Sequence, residues 1–272
     1  MKTFFFLASL VVLLFACKKD KSNNDSKQRY LSKVFKDGVL EHEIFYTTDK
    51  KPVRHNYYGT NTGTSILSSF RLYEYNADKL LETMTEFSKT NSFINKYSIQ
   101  YDGNKRPTRM DDLKDDNTLQ YYHLFDYDAQ GDLVKARTFN YNTSKQTVEA
   151  NMTYSQHKLT KIIRRLYTNN PPTLYDSSTY SFNNKTLPAS WNSFENFVFA
   201  SLPNGDRTYM DMIIDSSFYY YVDAPPNTIR ATFSQKQYNS EGFLSKQHFS
   251  YKYTSVLAPT TADYDRTYEY IE

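Results

Sequence analysis

The sequence predicts an all-β protein, an antiparallel meander of repeated β-hairpins with about 27 residues per unit. The sheet is expected to curl into an open sheet, a half-pipe or an incomplete barrel. Three observations predict this. First, 17% of the residues are aromatic, 26 of them Tyr, with only 7 Gly; such a composition favours pleated, half-buried surfaces. Second, apolar and polar residues alternate: Tyr97, Ile99 and Tyr101 share one face, as do Tyr121, Phe125 and Tyr127 with His123 between them, and Phe249, Tyr251 and Tyr253. Third, an aromatic residue before a polar turn recurs at Tyr46, Tyr75, Tyr101, Tyr127, Tyr154, Phe182 and Tyr238, with spacings of 29, 26, 26, 27, 28 and 56. The last spacing is twice 28 and predicts one unit that has lost its signature.

In chain order, residues 1–16 read as a signal peptide. Lys2 supplies the positive start, and Phe4 to Phe15 an apolar run too short to span a bilayer as a helix. The segment Leu14-Phe15-Ala16-Cys17 resembles a bacterial lipobox, in which the Cys becomes the lipidated first residue. Phe15 is bulkier than that pattern usually carries; the competing account is a buried or fortuitous Cys. Cys17 is the only Cys, so the mature domain has no intramolecular disulfide. Residues 17–29 are the lipidated Cys and a polar tether with nothing to bury, and residues 30–272 a single β-repeat domain. Lys18-Lys19-Asp20 lacks an Asp directly after the Cys, which favours the outer membrane over retention at the inner one. The lipid-anchored domain would face either the periplasm or the medium.

The turns explain their own chemistry. Polar clusters such as Asn76-Ala77-Asp78-Lys79, Asp102-Gly103-Asn104-Lys105 and Asp128-Ala129-Gln130-Gly131 follow the aromatic anchors. Asx side chains bond the backbone of such turns, and Gly accepts positive φ. Pro52, Leu80, Pro107, Leu133, Leu159, Leu187 or Phe243 then opens the return strand; Pro is tolerated there because no ladder donor is yet needed. Eight or so units give roughly fifteen strands, more than a strongly twisted open sheet carries flat. A sandwich of two packed sheets is the alternative architecture. Unpaired first and last strands would invite other chains.

The pattern resembles the tyrosine-aspartate (YD) repeats of RHS-type bacterial surface proteins, and small lipoproteins of unknown function that carry degenerate copies. The residues that carry the resemblance are Tyr127-Asp128, Gly131 and Leu133-Val134-Lys135, with Tyr101-Asp102 and Tyr238-Asn239, Gly242 and Leu244. It covers residues 40–255 loosely. In large YD proteins the repeats wind into a shell around a toxin domain. This chain is too short to enclose one.

The repeat breaks between Pro188 and Asn227. That stretch holds the single Trp, Trp191, and the turn signal Pro203-Asn204-Gly205-Asp206. The simpler reading is a unit that packs as a local core. The functional reading is an aromatic platform in which Trp191 with Tyr219 or Tyr221 stacks on a sugar, and Asp206, Asp211 or Asp215 bonds its hydroxyls.

Familiar catalytic signatures are missing. His42, His55, His123, His157 and His248 show no metal-ligand spacing, and there is no phosphate-binding loop or nucleophile elbow. No cofactor and no metal are expected. Asp111-Asp112 with Asp115-Asp116 lacks the order of a calcium loop and reads as a solvated strand end. Lys161-Ile162-Ile163-Arg164-Arg165 reads as an exposed edge or face. A net charge of +3 with interspersed signs gives no field selective for nucleic acid. The function expected is a non-enzymatic cell-envelope scaffold that binds a protein or glycan partner. Its rivals are a hydrolase of envelope or dietary polysaccharide and a structural subunit of an outer-membrane complex.

Overall fold

The computed structural model describes residues 29–59, 63–155, 158–167, 171–182, 214–221, 227–254 and 260–272. Residues 1–28, which hold the expected signal peptide, Cys17 and nearly all of the expected tether, lie outside these residues. Sixteen strands form among them. They are β1 (Tyr30–Lys36), β2 (Val39–Tyr46), β3 (Pro52–Gly59), β4 (Ile66–Tyr75), β5 (Leu81–Ser88), β6 (Phe93–Tyr101), β7 (Pro107–Leu113) and β8 (Leu119–Tyr127). There follow β9 (Leu133–Asn140), β10 (Gln146–Ser155), β11 (Lys158–Leu166), β12 (Thr173–Phe182), β13 (Ile214–Tyr221), β14 (Asn227–Tyr238), β15 (Leu244–Thr254) and β16 (Thr260–Ile271). Each pairs antiparallel with its chain neighbours, so the expected meander of hairpins forms.

The curl runs further than an open half-pipe. β1 pairs with β16, from Tyr30 opposite Ile271 to Lys36 opposite Arg266, and the ring closes. Closure answers the edge problem, because the two strands that would be free satisfy each other. The eighth hairpin is therefore assembled from the two ends of the chain. Tyr270 stands at its tip, an eighth anchor that the sequence pattern did not single out because no turn follows it.

The aromatic anchors and both described ends of the chain share one rim, here the near rim. Its turns follow one plan. At Asp102, the backbone N–H donates to the Arg106 carbonyl and the Lys105 N–H donates back to the Asp102 carbonyl. The Asp102 carboxylate accepts from the N–H groups of Asn104 and Arg106. Asp128 and Asn239 repeat this with their own turns. The fourth residue after the anchor is left-handed: Lys50, Lys79, Lys105, Gly131 and Gly242 have φ of 62, 60, 61, 87 and 87°. This is a type I turn closed by a left-handed residue, a common hairpin solution.

The anchor tyrosines join one hairpin to the next. Between hairpins the strand ladder stops short of the near rim; β5 and β6, for example, pair no further than Thr83 opposite Ser98. Tyr101 fills the gap by donating its hydroxyl to the Leu81 carbonyl at 2.6 Å. Tyr46 does the same to Leu31 at 2.5 Å, Tyr75 to Pro52 at 2.9 Å, and Tyr270 of β16 to Leu244 of β15 at 2.6 Å. A carbonyl that would otherwise lack a partner is thus satisfied. The return strands open with buried Leu81 and Leu244, one residue later than the expected Leu80 and Phe243. Phe243 instead lies 5.5 Å from the Tyr270 ring.

Most of the 56-residue spacing, where a unit without its signature was expected, lies outside the described residues. Between Phe182 and Tyr238 the described residues hold only β13 and β14. Residues 183–213, 31 in all, stand where the other units have a short near-rim turn. β12 and β13 nevertheless pair directly.

The buried face of each strand is the inner wall. Tyr73, Leu81, Met84, Ile99, Met110, Phe125, Leu133, Met152, Ile162 and Phe249 belong to one apolar cluster that runs round most of the ring. A smaller cluster of Leu31, Val34, Ile44, Leu244 and Tyr268 lies under the seam.

Candidate functional site

The outer wall is charged. Arg109 pairs with Asp111 at 2.6 Å, Arg137 with Asp126 at 2.7 Å, Lys246 with Asp265 at 2.6 Å and Lys33 with Glu269 at 3.9 Å. All four lie on strands, facing away from the buried set. A lipid-facing wall would be an apolar band, and each Arg or Lys at its midplane costs about 2–4 kcal/mol. Exposed Phe45, Leu72 and Ile94 lie on the same wall among the charges, without forming such a band.

The inner wall is where the repeat is not kept. Register places His55 opposite both Ile44 and Arg71, and Arg71 opposite Glu86. Arg71 Nε donates to Glu86 at 2.9 Å, and its guanidinium lies 4.9 Å from the Tyr57 ring centre. The His55 ring stacks on Tyr57 at 4.2 Å and meets His42 edge-on at 5.3 Å. Under the seam, Arg266 Nε donates to Glu41 at 2.8 Å and its guanidinium lies over Phe249 at 4.6 Å. Across the ring, Arg164 Nη1 donates to Asp176 at 2.8 Å. The basic run expected to be exposed thus sends Arg164 inward, while β11 is paired on both sides.

Two titratable groups stand apart. His123, buried beside Met110, shares a 3.0 Å hydrogen bond between its Nδ1 and Thr138 Oγ1. Burial holds its pKa down to about 4, so it is neutral at pH 7. Asp112, expected at a solvated strand end, sits instead on the inner wall, opposite Tyr97 and Tyr121. Desolvation pushes its carboxyl up to about 6. Several buried polar atoms have no hydrogen-bond partner, among them His123 Nε2, Asp176 Oδ1 and Ser178 Oγ. Buried polar atoms are usually satisfied, so this concentration on one wall calls for an explanation.

The residues expected to bind a ligand divide in two. Trp191, Asp206 and Asp211 lie outside the described residues, within the long connection between β12 and β13. Tyr219 and Tyr221 are in β13, where the backbone pairs them with Ser178 and Asp176; Asp215 begins the same strand. Cys17 also lies outside. A separate groove of about 400 Å³ opens at the seam near Lys33, Glu43, Phe45 and Lys50. Among the described residues no three His, Cys, Asp or Glu side chains gather as a metal site. The inward Arg and Asp residues escaped sequence reading because each occurs once; the usable signal was strand parity, which puts Asp112 on the face of Met110.

No protein-family model matches the chain, and a search of the curated proteins found no match. Solved structures do resemble it. A porin-like protein from Bacteroides uniformis ATCC 8492 has a TM-score of 0.52 and 9% identity, over 85% of this chain and 90% of that one. One from Bacteroides vulgatus ATCC 8482 has a TM-score of 0.40 and 10% identity, over 88% and 98%. The TcdB2-TccC3-Cdc42 structure has a TM-score of 0.34 and 11% identity, over 86% of this chain and 14% of that one. What the chain shares with the Bacteroides uniformis protein is a fold.

Proposed function

We propose that the chain is a cell-envelope lipoprotein, held at the outer membrane through lipid on Cys17. Its barrel stands in water and binds a protein or glycan partner without chemistry of its own. The observation that carries the reading is the opposition of the two walls. Charge pairs cover the outside, while tyrosines, buried ion pairs and unsatisfied polar atoms gather on the inside. A channel in lipid needs the reverse arrangement. The Leu14-Phe15-Ala16-Cys17 segment supplies the anchor, and the near rim, where Arg29 lies, is the end the anchor reaches.

The test is metabolic labelling with a palmitate analogue and membrane fractionation, for the chain and its Cys17→Ser variant. Label and membrane association should both disappear in the variant, with the folded barrel found in the soluble fraction. Membrane retention of an unlabelled, folded Cys17→Ser protein would contradict the reading.

A further inference from the structure

Among the described side chains of the inner wall, three carboxylates have a cation and one does not. Glu41 has Arg266, Glu86 has Arg71 and Asp176 has Arg164. Asp112 has neither an ion pair nor a hydrogen bond among the described residues. Arg109 pairs with Asp111 on the outer wall, Lys96 of β6 bonds the Asn117 side chain at 3.0 Å, and Lys114, just past the end of β7, makes no ion pair with Asp112.

Register fixes what surrounds Asp112. Tyr97 of β6 and Tyr121 of β8 are its direct partners on either side. Directly opposed residues on one face have Cβ atoms about 5 Å apart, so the carboxylate lies between two phenol rings. Asn95 Nδ2 donates to the Tyr97 hydroxyl at 2.6 Å, leaving that hydroxyl its own proton to donate. One row nearer the rim of turns is His123, neutral and with its Nε2 unsatisfied.

We propose that Asp112, Tyr97 and Tyr121 form a seat for one positively charged organic group, an ammonium or guanidinium carried by a ligand that enters the barrel. The chemistry is specific. A half-buried acid without a partner favours a cation that replaces the missing one, and an aromatic side chain on either side adds apolar contact for the cation's carbon stem. A sugar hydroxyl would hydrogen-bond the acid without balancing its charge. A single carboxylate is too poor a donor set for a metal ion. The inference rests on the barrel being a binding protein and names the chemistry it recognises.

The site should also respond to pH. The groups that face Asp112 are Tyr97 from β6 and Tyr121 and His123 from β8, with the Arg71–Glu86 pair two strands further on. Only Asp112 changes charge between pH 5 and 8 among those with a shifted pKa. A cation should therefore bind about tenfold more weakly at pH 5 than at pH 8.

The experiment is calorimetric titration of the full-length chain in detergent micelles with agmatine, butylamine and methyl glucoside. The expected result is saturable binding of agmatine or butylamine at pH 8, at least tenfold weaker at pH 5 and in Asp112→Asn. Tyr121→Leu keeps the acid and removes one ring; it should weaken binding while the protein stays folded by circular dichroism. No saturable binding of either amine at pH 8 would overturn the proposal. So would binding that Asp112→Asn leaves unchanged, or binding of methyl glucoside alone. These outcomes are independent of the Cys17 labelling experiment, so the site can fail while the anchored barrel stands.

Discussion

The near rim and the inner wall are made from the same strands and obey opposite rules. At the rim one solution recurs: an anchor aromatic and a polar turn, with a left-handed fourth residue in five units and a hydroxyl that reaches the neighbouring hairpin from Tyr46, Tyr75, Tyr101 and Tyr270. On the inner wall almost nothing repeats. Arg71, Asp112, His123, Arg164 and Arg266 each occur once, at different points of the ring. The difference teaches where to look for function in a repeat protein. Residues that recur are explained by the unit they build, and those that break the period inside the barrel need a separate reason.

The largest expected effect comes from the inner wall. Asp176 is 2% exposed and depends on Arg164. Arg164→Ala should cost about 3–5 kcal/mol in urea unfolding, because it strands a buried carboxylate. Replacing both, as Arg164→Met with Asp176→Leu, should recover most of that loss. Recovery would mean that the pair is kept for something other than stability, which sharpens the contrast with the rim.

Next comes acid. His123 has its pKa lowered to about 4 in the fold, so it resists protonation there while the unfolded chain accepts the proton. Its contribution is present above about pH 6.5 and lost as pH falls towards 4, up to about 3 kcal/mol in all. Comparing melts of the chain and its His123→Leu variant across pH 4 to 7 isolates this slope. A slope unchanged in the variant would place the acid sensitivity elsewhere.

The smallest effect tests the rim. Tyr101→Phe removes the hydroxyl bonded to the Leu81 carbonyl and should cost about 1 kcal/mol. Tyr127→Phe should cost nothing or stabilise, because its buried hydroxyl has no hydrogen-bond partner. Equal losses in both variants would break the idea that the tyrosines join hairpins through specific carbonyls.

The two regions were also unequally legible. The anchors, the turn chemistry and the strand alternation could be read directly, because each depends on residues close in sequence. Closure could not, since it rests on β1 meeting β16 across more than 200 residues. Tyr270 escaped notice because its turn is replaced by the chain ends. The doubled spacing after Phe182 shows the limit of a period, because a long connection between β12 and β13 and a unit without its signature lengthen it alike. Asp112 reads as solvated because a run of acids hides strand parity: Asp111 faces the outer wall with Arg109, and on a strand its neighbour faces the opposite one.

The most direct test of the account is covalent capture of the seam. Phe35 and Thr267 are opposed across β1 and β16, and Cys17 is the only native Cys. In a Cys17→Ser background, Phe35→Cys with Thr267→Cys should oxidise to an intramolecular disulfide that speeds migration in a non-reducing gel. A control pair, Phe70→Cys with Phe87→Cys, sits within the β4–β5 hairpin and should oxidise in either a closed or an open sheet. Cross-linking of both pairs is the predicted result. Cross-linking of the control alone, with the seam cysteines remaining reduced, would contradict the closed barrel.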